Sequence, residues 1–440
     1  MQCDHMQINC EQSKVFHGID VDGKEGVLTD YATRLSQVVA MEDWQAPESS
    51  VCLPGSLGLY QASIDLINQL STTDLQYVFL VGIGGSNLGT LAVHAALRNR
   101  FSTAQPELIS LDTVSAADIA TLRERFKDGL PSETYLIFVI SKSGGTTETI
   151  ANAELLYQSV LTDPVARTER TIVITDADSA LDRYADEQTM ARLHIPTNVG
   201  GRYSVFSPVG IAPLYALGYP TGELLRGARD IIPYCTHTNL YDNPAALVAS
   251  KVATAIERGY TVYDLFVFDP TLEVLGKWNR QLVGESVGKR ENTNGEVVET
   301  GIVPTVSVGS TDLHSVGQLY LGGLPTVMTM FVSVAQPSSE MTIPSEHTDR
   351  AFPTLVPDIA GHSTTDIQQA IFAGTKDAYN EAERPFCVAE LANTSAYEIG
   401  VLMQYKMIET MYLAQALSVN AFDQPNVERY KKFTKEYLRK

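Results

Sequence analysis

Two glycine-rich stretches hold the residues whose types and spacing suit chemistry. VGIGGSNLGT at 81–90 follows the apolar run YVFL at 77–80, and SKSGGTTET at 141–149 follows TYLIFVI at 134–140. In the second stretch Ser141, Ser143, Thr146 and Thr147 crowd a strand-to-helix turn opened by Gly144 and Gly145. Hydroxyls and free N–H groups at a helix N-terminus bind a phosphate monoester, and the helix dipole favours its charge. Glu148 could close a capping box there, which would give some of these residues a purely structural use. A dinucleotide fingerprint needs G-x-G-x-x-G, and Gly82, Gly84 and Asn87 fail it at the third glycine. A triphosphate loop needs lysine before Ser or Thr, and no lysine occurs between 77 and 100. A ligand-free turn would use the same glycines in the first loop, but it leaves the hydroxyls of the second unexplained. Together the loops suit a small sugar phosphate better than a nucleotide.

The elements that must position these loops alternate. Short apolar strands are expected at 77–82, 107–112, 134–140 and 170–175, with helices between them. Strands buried on both faces and separated by helices make a parallel, doubly wound sheet, with its ligand at the strands' carboxyl ends. A second pass begins near 241. Helix NPAALVASKVATAIERG leads to strand YTVYDLFVF and helix TLEVLGKWNRQLVGE. Strands IVPTVSV and TVMTMFVSV, helix TDIQQAIFAGTKDAYNEAE and strand FCVAEL follow. The expected class is α/β: two doubly wound, flavodoxin-like domains with mainly parallel sheets, plus a helical C-terminal arm. The expected division is an N-terminal segment at 1–60 packing on the second domain, domains at 61–190 and 191–394, and the arm at 395–440. KRENTNGEVVETG at 289–301 reads as a long exposed loop.

Composition narrows the classes. The chain has 440 residues, 44% of them hydrophobic and 19% charged, as in an ordinary globular protein. A net charge of −20 repels nucleic acid and anionic membrane. No stretch approaches membrane-spanning length, and the polar start MQCDHMQINCEQSK carries no signal-peptide core. Five scattered cysteines, never spaced as CxxC, predict reduced thiols in a cytoplasm and no disulfide framework. The eight histidines form no HxH or HExxH pair, so neither a metal nor a cofactor is expected.

Taken together, GIGGSNLG and SKSGGTTET resemble the loops of the sugar isomerase (SIS) domain. VGGRYSVFSPVG (199–210), QLVGESVGK (281–289), TDLHSVGQ (311–318) and FDQPNVERYK (422–431) narrow the resemblance to the phosphoglucose isomerases. It runs from about residue 77 to 432, with six motifs in the family's order, and implies two SIS-type domains with a helical arm. The activity it implies is interconversion of glucose 6-phosphate and fructose 6-phosphate through a cis-enediolate, in glycolysis and gluconeogenesis. That reaction needs a base over C2, a group to hold the enediolate's charge, and groups that open the sugar ring.

The resemblance makes Glu285, in GES at the end of an apolar helix, the base; partial desolvation there would make it a competent proton acceptor. Arg202 is the electrostatic stabiliser, a cation that does not exchange its proton with the intermediate. His314 and Lys431 are the ring-opening groups by resemblance alone. Gln281 sits one turn before Glu285 on the same helix face and could hydrogen-bond the substrate. Gly85, Ser86, Ser141, Lys142, Ser143 and Thr146 complete the substrate-binding set. Gly145 stands where many bacterial relatives carry a third threonine, and 289–301 is longer and more acidic than the family pattern. The family implies a homodimer with a shared site, His314 crossing the boundary; the Met- and Leu-rich GVLMQYKMIETMYLAQAL is a candidate docking surface, although packing within the chain would use the same residues. Other readings are an isomerase that also accepts mannose 6-phosphate, or a non-catalytic sugar-phosphate sensor. The sensor should carry a basic DNA-reading segment, and none is present.

Overall fold

The computed structural model describes residues 6–17, 23–99 and 101–440. Its strands begin with β1 (Gln7–Asn9), followed by β2 (Tyr77–Val81), β3 (Glu107–Leu111), β4 (Tyr135–Ile140), β5 (Thr171–Thr175) and β6 (Ala191–His194). Next come β7 (Val262–Val267), β8 (Lys289–Glu291), β9 (Val297–Thr300), β10 (Val303–Val308), β11 (Val327–Val334) and β12 (Phe386–Leu391).

The first sheet runs β3-β2-β4-β5-β6 with every pairing parallel. Its centre is dry: all residues of β4 are buried, so the strand reads as an unbroken apolar run. The chain steps from β2 to β3 on one side and from β4 to β5 on the other. The crevice outside the carboxyl ends of β2 and β4 is therefore the topological switch point, and both glycine loops start there. Edge strand β6 escapes sequence periodicity because Arg192 and His194 interrupt its short apolar pattern, and only Leu193 is buried.

The second sheet runs β1-β12-β11-β7-β10, parallel except for β1, which pairs antiparallel with β12. Here β7 leads to β10 and β11 leads to β12, so the switch point lies between β7 and β11. Both sheets are α/β and mainly parallel, as the periodicity implied.

Three expectations need correction. Cys10 and Cys387 form a disulfide, so the chain is not a set of free thiols. They lie 377 residues apart in sequence but 4.2 Å apart at Cα, because β1 lies against β12. Sequence spacing cannot show that proximity. Cys52 is a buried free thiol, Cys235 is buried, and Cys3 lies outside the described residues. Residues 289–301 are not a loop but the hairpin β8–β9, turned at Asn294-Gly295 and tied to the body by Thr293 N–H donating to Ser418 O at 2.9 Å. Asn-Gly between two extended runs is the hairpin signal that the charge density obscured.

The third concerns the C-terminal region, which is helical but not free to dock along its first helix. Every residue of Ala396–Ala414 in the helix Ala396–Ala416 is buried, packed against the helices Thr221–Cys235, Pro244–Glu257 and Glu273–Val287. A helix that is mostly apolar all round, with Lys406 and Glu409 paired to each other, belongs in the interior. Its crossing with Thr221–Cys235 is backbone-close. A Cβ on Gly400 would sit 2.0 Å from Leu224 O, and one on Gly227 would sit 1.9 Å from Tyr397 O. No helix among the described residues is long and apolar enough to cross a membrane.

Gly400→Ala should therefore destabilise the fold by about 3 kcal/mol or prevent folding, through overpacking against rigid backbone. Gly374→Ala, where a Cβ meets nothing within 4 Å, should be neutral or stabilising. Urea midpoints for the pair check this; an unchanged midpoint for Gly400→Ala would refute the close crossing.

Candidate active site

At the first switch point the two loops are held differently. Gly84 has φ +61°, and a Cβ on Gly85 would lie 2.2 Å from Gly201 C and 2.6 Å from Arg202 N. Backbone thus rests on backbone, and only glycine admits this approach. Ser204 Oγ donates to Gly85 O at 3.4 Å and fastens the contact. In the second loop buried Ser141 shares a 2.8 Å hydrogen bond with Thr146 Oγ1, and Thr146 N–H donates to Ser141 Oγ at 3.4 Å. Thr146 is the N-cap of the helix Thr147–Ser159, yet no side chain caps that helix, so Glu148 closes no capping box. Ser143 and Gly145 are exposed, and Ser86 is half-buried. Lys142 braces the loop: its ammonium donates to both Asp176 carboxylate oxygens at 2.8 Å and to Thr197 O at 2.7 Å.

Beside the loops, the helix Glu273–Val287 presents Gln281 and Glu285 one turn apart. Gln281 Nε2 donates to Glu285 Oε1 at 3.2 Å. Gln281 Oε1 is buried without a partner, and its Nε2 lies 2.9 Å from where a Gly84 Cβ would stand. Arg202 closes the group from the turn Gly201–Tyr203. Its guanidinium, 3% exposed, has Glu285 Oε2 at 3.4 Å. It also donates to Ser286 Oγ at 2.8 Å, Gln424 Oε1 at 2.9 Å, Ala421 O at 2.5 Å and Asp423 O at 3.1 Å.

Three partners escaped sequence reasoning. Ser286 accepts from Arg202 and shares a 2.9 Å bond with the Tyr203 hydroxyl; burial pushes that phenol's pKa up. Gln424 arrives from the C-terminal segment. Lys289, buried, donates to Glu285 O at 2.7 Å and Asp423 O at 2.6 Å, and pairs with Asp423 Oδ1 at 3.0 Å. Burial pulls its ammonium below the ordinary lysine pKa, and Asp423 opposes that. Lys289 and Gln424 lay inside motifs already singled out, and the signal available was a basic residue one turn after Glu285.

The structure gathers Gly85, Arg202, Gln281 and Glu285, but not every expected residue. His314 ends the turn Thr311–His314 after β10 and is exposed. Lys431 lies on Glu428–Leu438, a helix with no buried residue, and pairs with Glu428 Oε1 at 2.7 Å. Neither bonds the Glu285 group among the described residues.

A doubly wound sheet with hydroxyl-bearing loops at its switch point, next to a carboxylate faced by a fixed guanidinium, defines an isomerase-type site for a small phosphorylated sugar. The phosphoglucose isomerase family matches residues 68–440. A glucose-6-phosphate isomerase of Carboxydothermus hydrogenoformans is 34% identical over 369 residues, 82% of this chain and 78% of that protein. One from Rubrobacter xylanophilus is 31% identical over 416 residues, covering 92% of each. A hypothetical protein of Thermus thermophilus superposes with TM-score 0.85 at 26% identity, covering 98% of this chain and 99% of that one. The glucose-6-phosphate isomerase of Chlamydia trachomatis shares the fold, with TM-score 0.82 at 18% identity over 99% of this chain and 89% of that one. The chain belongs to the phosphoglucose isomerase family and is an aldose–ketose isomerase.

Because Gly85 touches Gly201 through backbone, Gly85→Ala should displace Arg202 and lower kcat/KM by about a hundredfold. Gly145→Ala, where a Cβ meets nothing within 4 Å, should stay within about threefold. Steady-state kinetics on both variants check the contrast; equal losses would mean that the Gly85 contact does not set the geometry.

Proposed function

We propose that the enzyme interconverts glucose 6-phosphate and fructose 6-phosphate with Glu285 as the base. On this reading Glu285 takes the proton from C2 of the open-chain aldose, leaving a cis-enediolate, and returns it to C1. Arg202 holds the charge on the enediolate oxygens; a guanidinium is a fixed cation, so it stabilises without exchanging a proton. Gln281, whose buried Oε1 lacks a partner, accepts a substrate hydroxyl. Ser141, Ser143 and Thr146, with the uncapped N–H groups of the helix Thr147–Ser159, hold the phosphate. Lys142 adds charge from behind, paired with Asp176, and Gly85 and Ser86 line the sugar.

The observation that carries the reading is the Arg202–Glu285 contact at 3.4 Å, beside two glycine loops at one switch point. His314 and Lys431 are assigned to ring opening, with His314 acting from a second subunit; its exposed position supports a role across a boundary. A homodimer with shared sites follows. Phosphorylated sugars do not cross membranes unaided, which supports a cytoplasmic enzyme acting in glycolysis and gluconeogenesis.

Glu285→Gln should lower kcat by at least about a thousandfold while substrate affinity stays within several-fold, because the amide keeps the shape and removes the base. Turnover at a tenth of wild type would exclude Glu285 as the base.

Co-expression tests the shared site. In a mixed dimer of a Glu285→Gln chain and a His314→Ala chain, action in trans leaves one site with both native residues. Random assortment makes about half the dimers mixed, so activity should return to roughly a quarter of wild type. Activity at the parental level, with mixed dimers confirmed by tagged pull-down, would rule the arrangement out.

A further inference from the structure

The second sheet has a switch point of its own that the isomerisation does not use. We propose that the crevice between the carboxyl ends of β7 and β11 binds a small neutral polyol. By the rule that places the phosphate loops outside β2 and β4, a ligand of this second domain belongs outside β7 and β11. A cavity of about 150 Å³ lies there, lined by the residues that follow both strands and by the first turns of the helix Thr364–Glu381.

Its chemistry differs from that of the first crevice. Ser333, at the end of β11, is 7% exposed, and its buried hydroxyl has no partner. The Thr365 hydroxyl is likewise buried and unpartnered. Both hydroxyls belong to residues that line one cavity, and each would gain a partner by turning toward a ligand that both donates and accepts. Phe268 and Phe372, with ring centroids 4.6 Å apart, form an apolar wall of the kind that packs against the C–H face of a polyol. Gln368 adds a carboxamide, anchored by a 3.2 Å bond to Phe268 O.

An anion is disfavoured twice. The lining contains no lysine, arginine or histidine, and its one ionisable group is Asp269. The N-terminus of the helix Thr364–Glu381 is already closed by a capping box between Ser363 and Asp366, whereas the phosphate-loop helix Thr147–Ser159 has no side-chain cap. The volume is below the roughly 300–1,000 Å³ of drug-sized sites, which limits the ligand to about three or four carbons.

The test uses erythritol as the probe and the intact enzyme. Saturation-transfer NMR should show erythritol contact that persists with saturating fructose 6-phosphate and with excess inorganic phosphate. Ser333→Ala and Thr365→Val should each weaken binding by roughly three- to tenfold, the range of one neutral hydrogen bond. Both variants should keep wild-type turnover, and Glu285→Gln should leave erythritol binding unchanged. If Ser333→Ala fails to fold, Thr365→Val at its half-buried position still carries the test. Absence of contact, displacement by the sugar phosphate or by phosphate, or indifference to both substitutions would overturn the proposal.

Discussion

One buried cation organises the reaction centre. The Arg202 guanidinium, almost without solvent, has five acceptors: Glu285 and Ser286 on one helix, and Ala421, Asp423 and Gln424 from the C-terminal segment. A buried charge persists only when paired and hydrogen-bonded, and removing one partner typically destabilises by several kcal/mol. The guanidinium therefore fixes the spacing between stretches of chain more than 200 residues apart. It does so beside the carboxylate proposed as base, so stability and preorganisation depend on the same contacts.

Lys289 repeats the device one layer further out. It joins Glu285 O to Asp423 through a second buried cation, so the helix end and the C-terminal segment are pinned twice. The first residues of the hairpin β8–β9, Lys289 to Thr293, line a cavity of about 600 Å³ together with Asp423.

The two sheets are alike in topology and opposite in electrostatics. The first offers an uncapped helix and hydroxyls; the second offers a capped helix beside a carboxylate. A helix, Ala396–Ala416, buried along nearly its whole length, packs against the helices Leu88–Leu97 and Pro244–Glu257. That interior also holds an ion pair, Lys406 to Glu409 at 2.6 Å, with Tyr263 hydroxyl donating to the same carboxylate at 2.8 Å. A buried, hydrogen-bonded ion pair of this kind favours one packing arrangement, because alternatives would strand a charge.

The sequence by itself determined much of the frame. Apolar runs of five to eight residues between helical stretches identified most parallel strands, because a strand buried on both faces must be apolar throughout. Glycines with hydroxyls after two of those strands marked the loops at the first switch point, and QLVGES put Gln281 and Glu285 on one helix face. These are local properties, set by period and by backbone freedom. Tertiary structure alone decided what depends on distant segments meeting. It placed Cys10 against Cys387, buried the helix that had looked like a docking surface, and brought Gln424 and Lys289 to the reaction centre. It also left His314 and Lys431 outside that centre within one chain. Hydrogen bonds and ion pairs act over a few ångströms, and separation along the chain does not record which segments come that close.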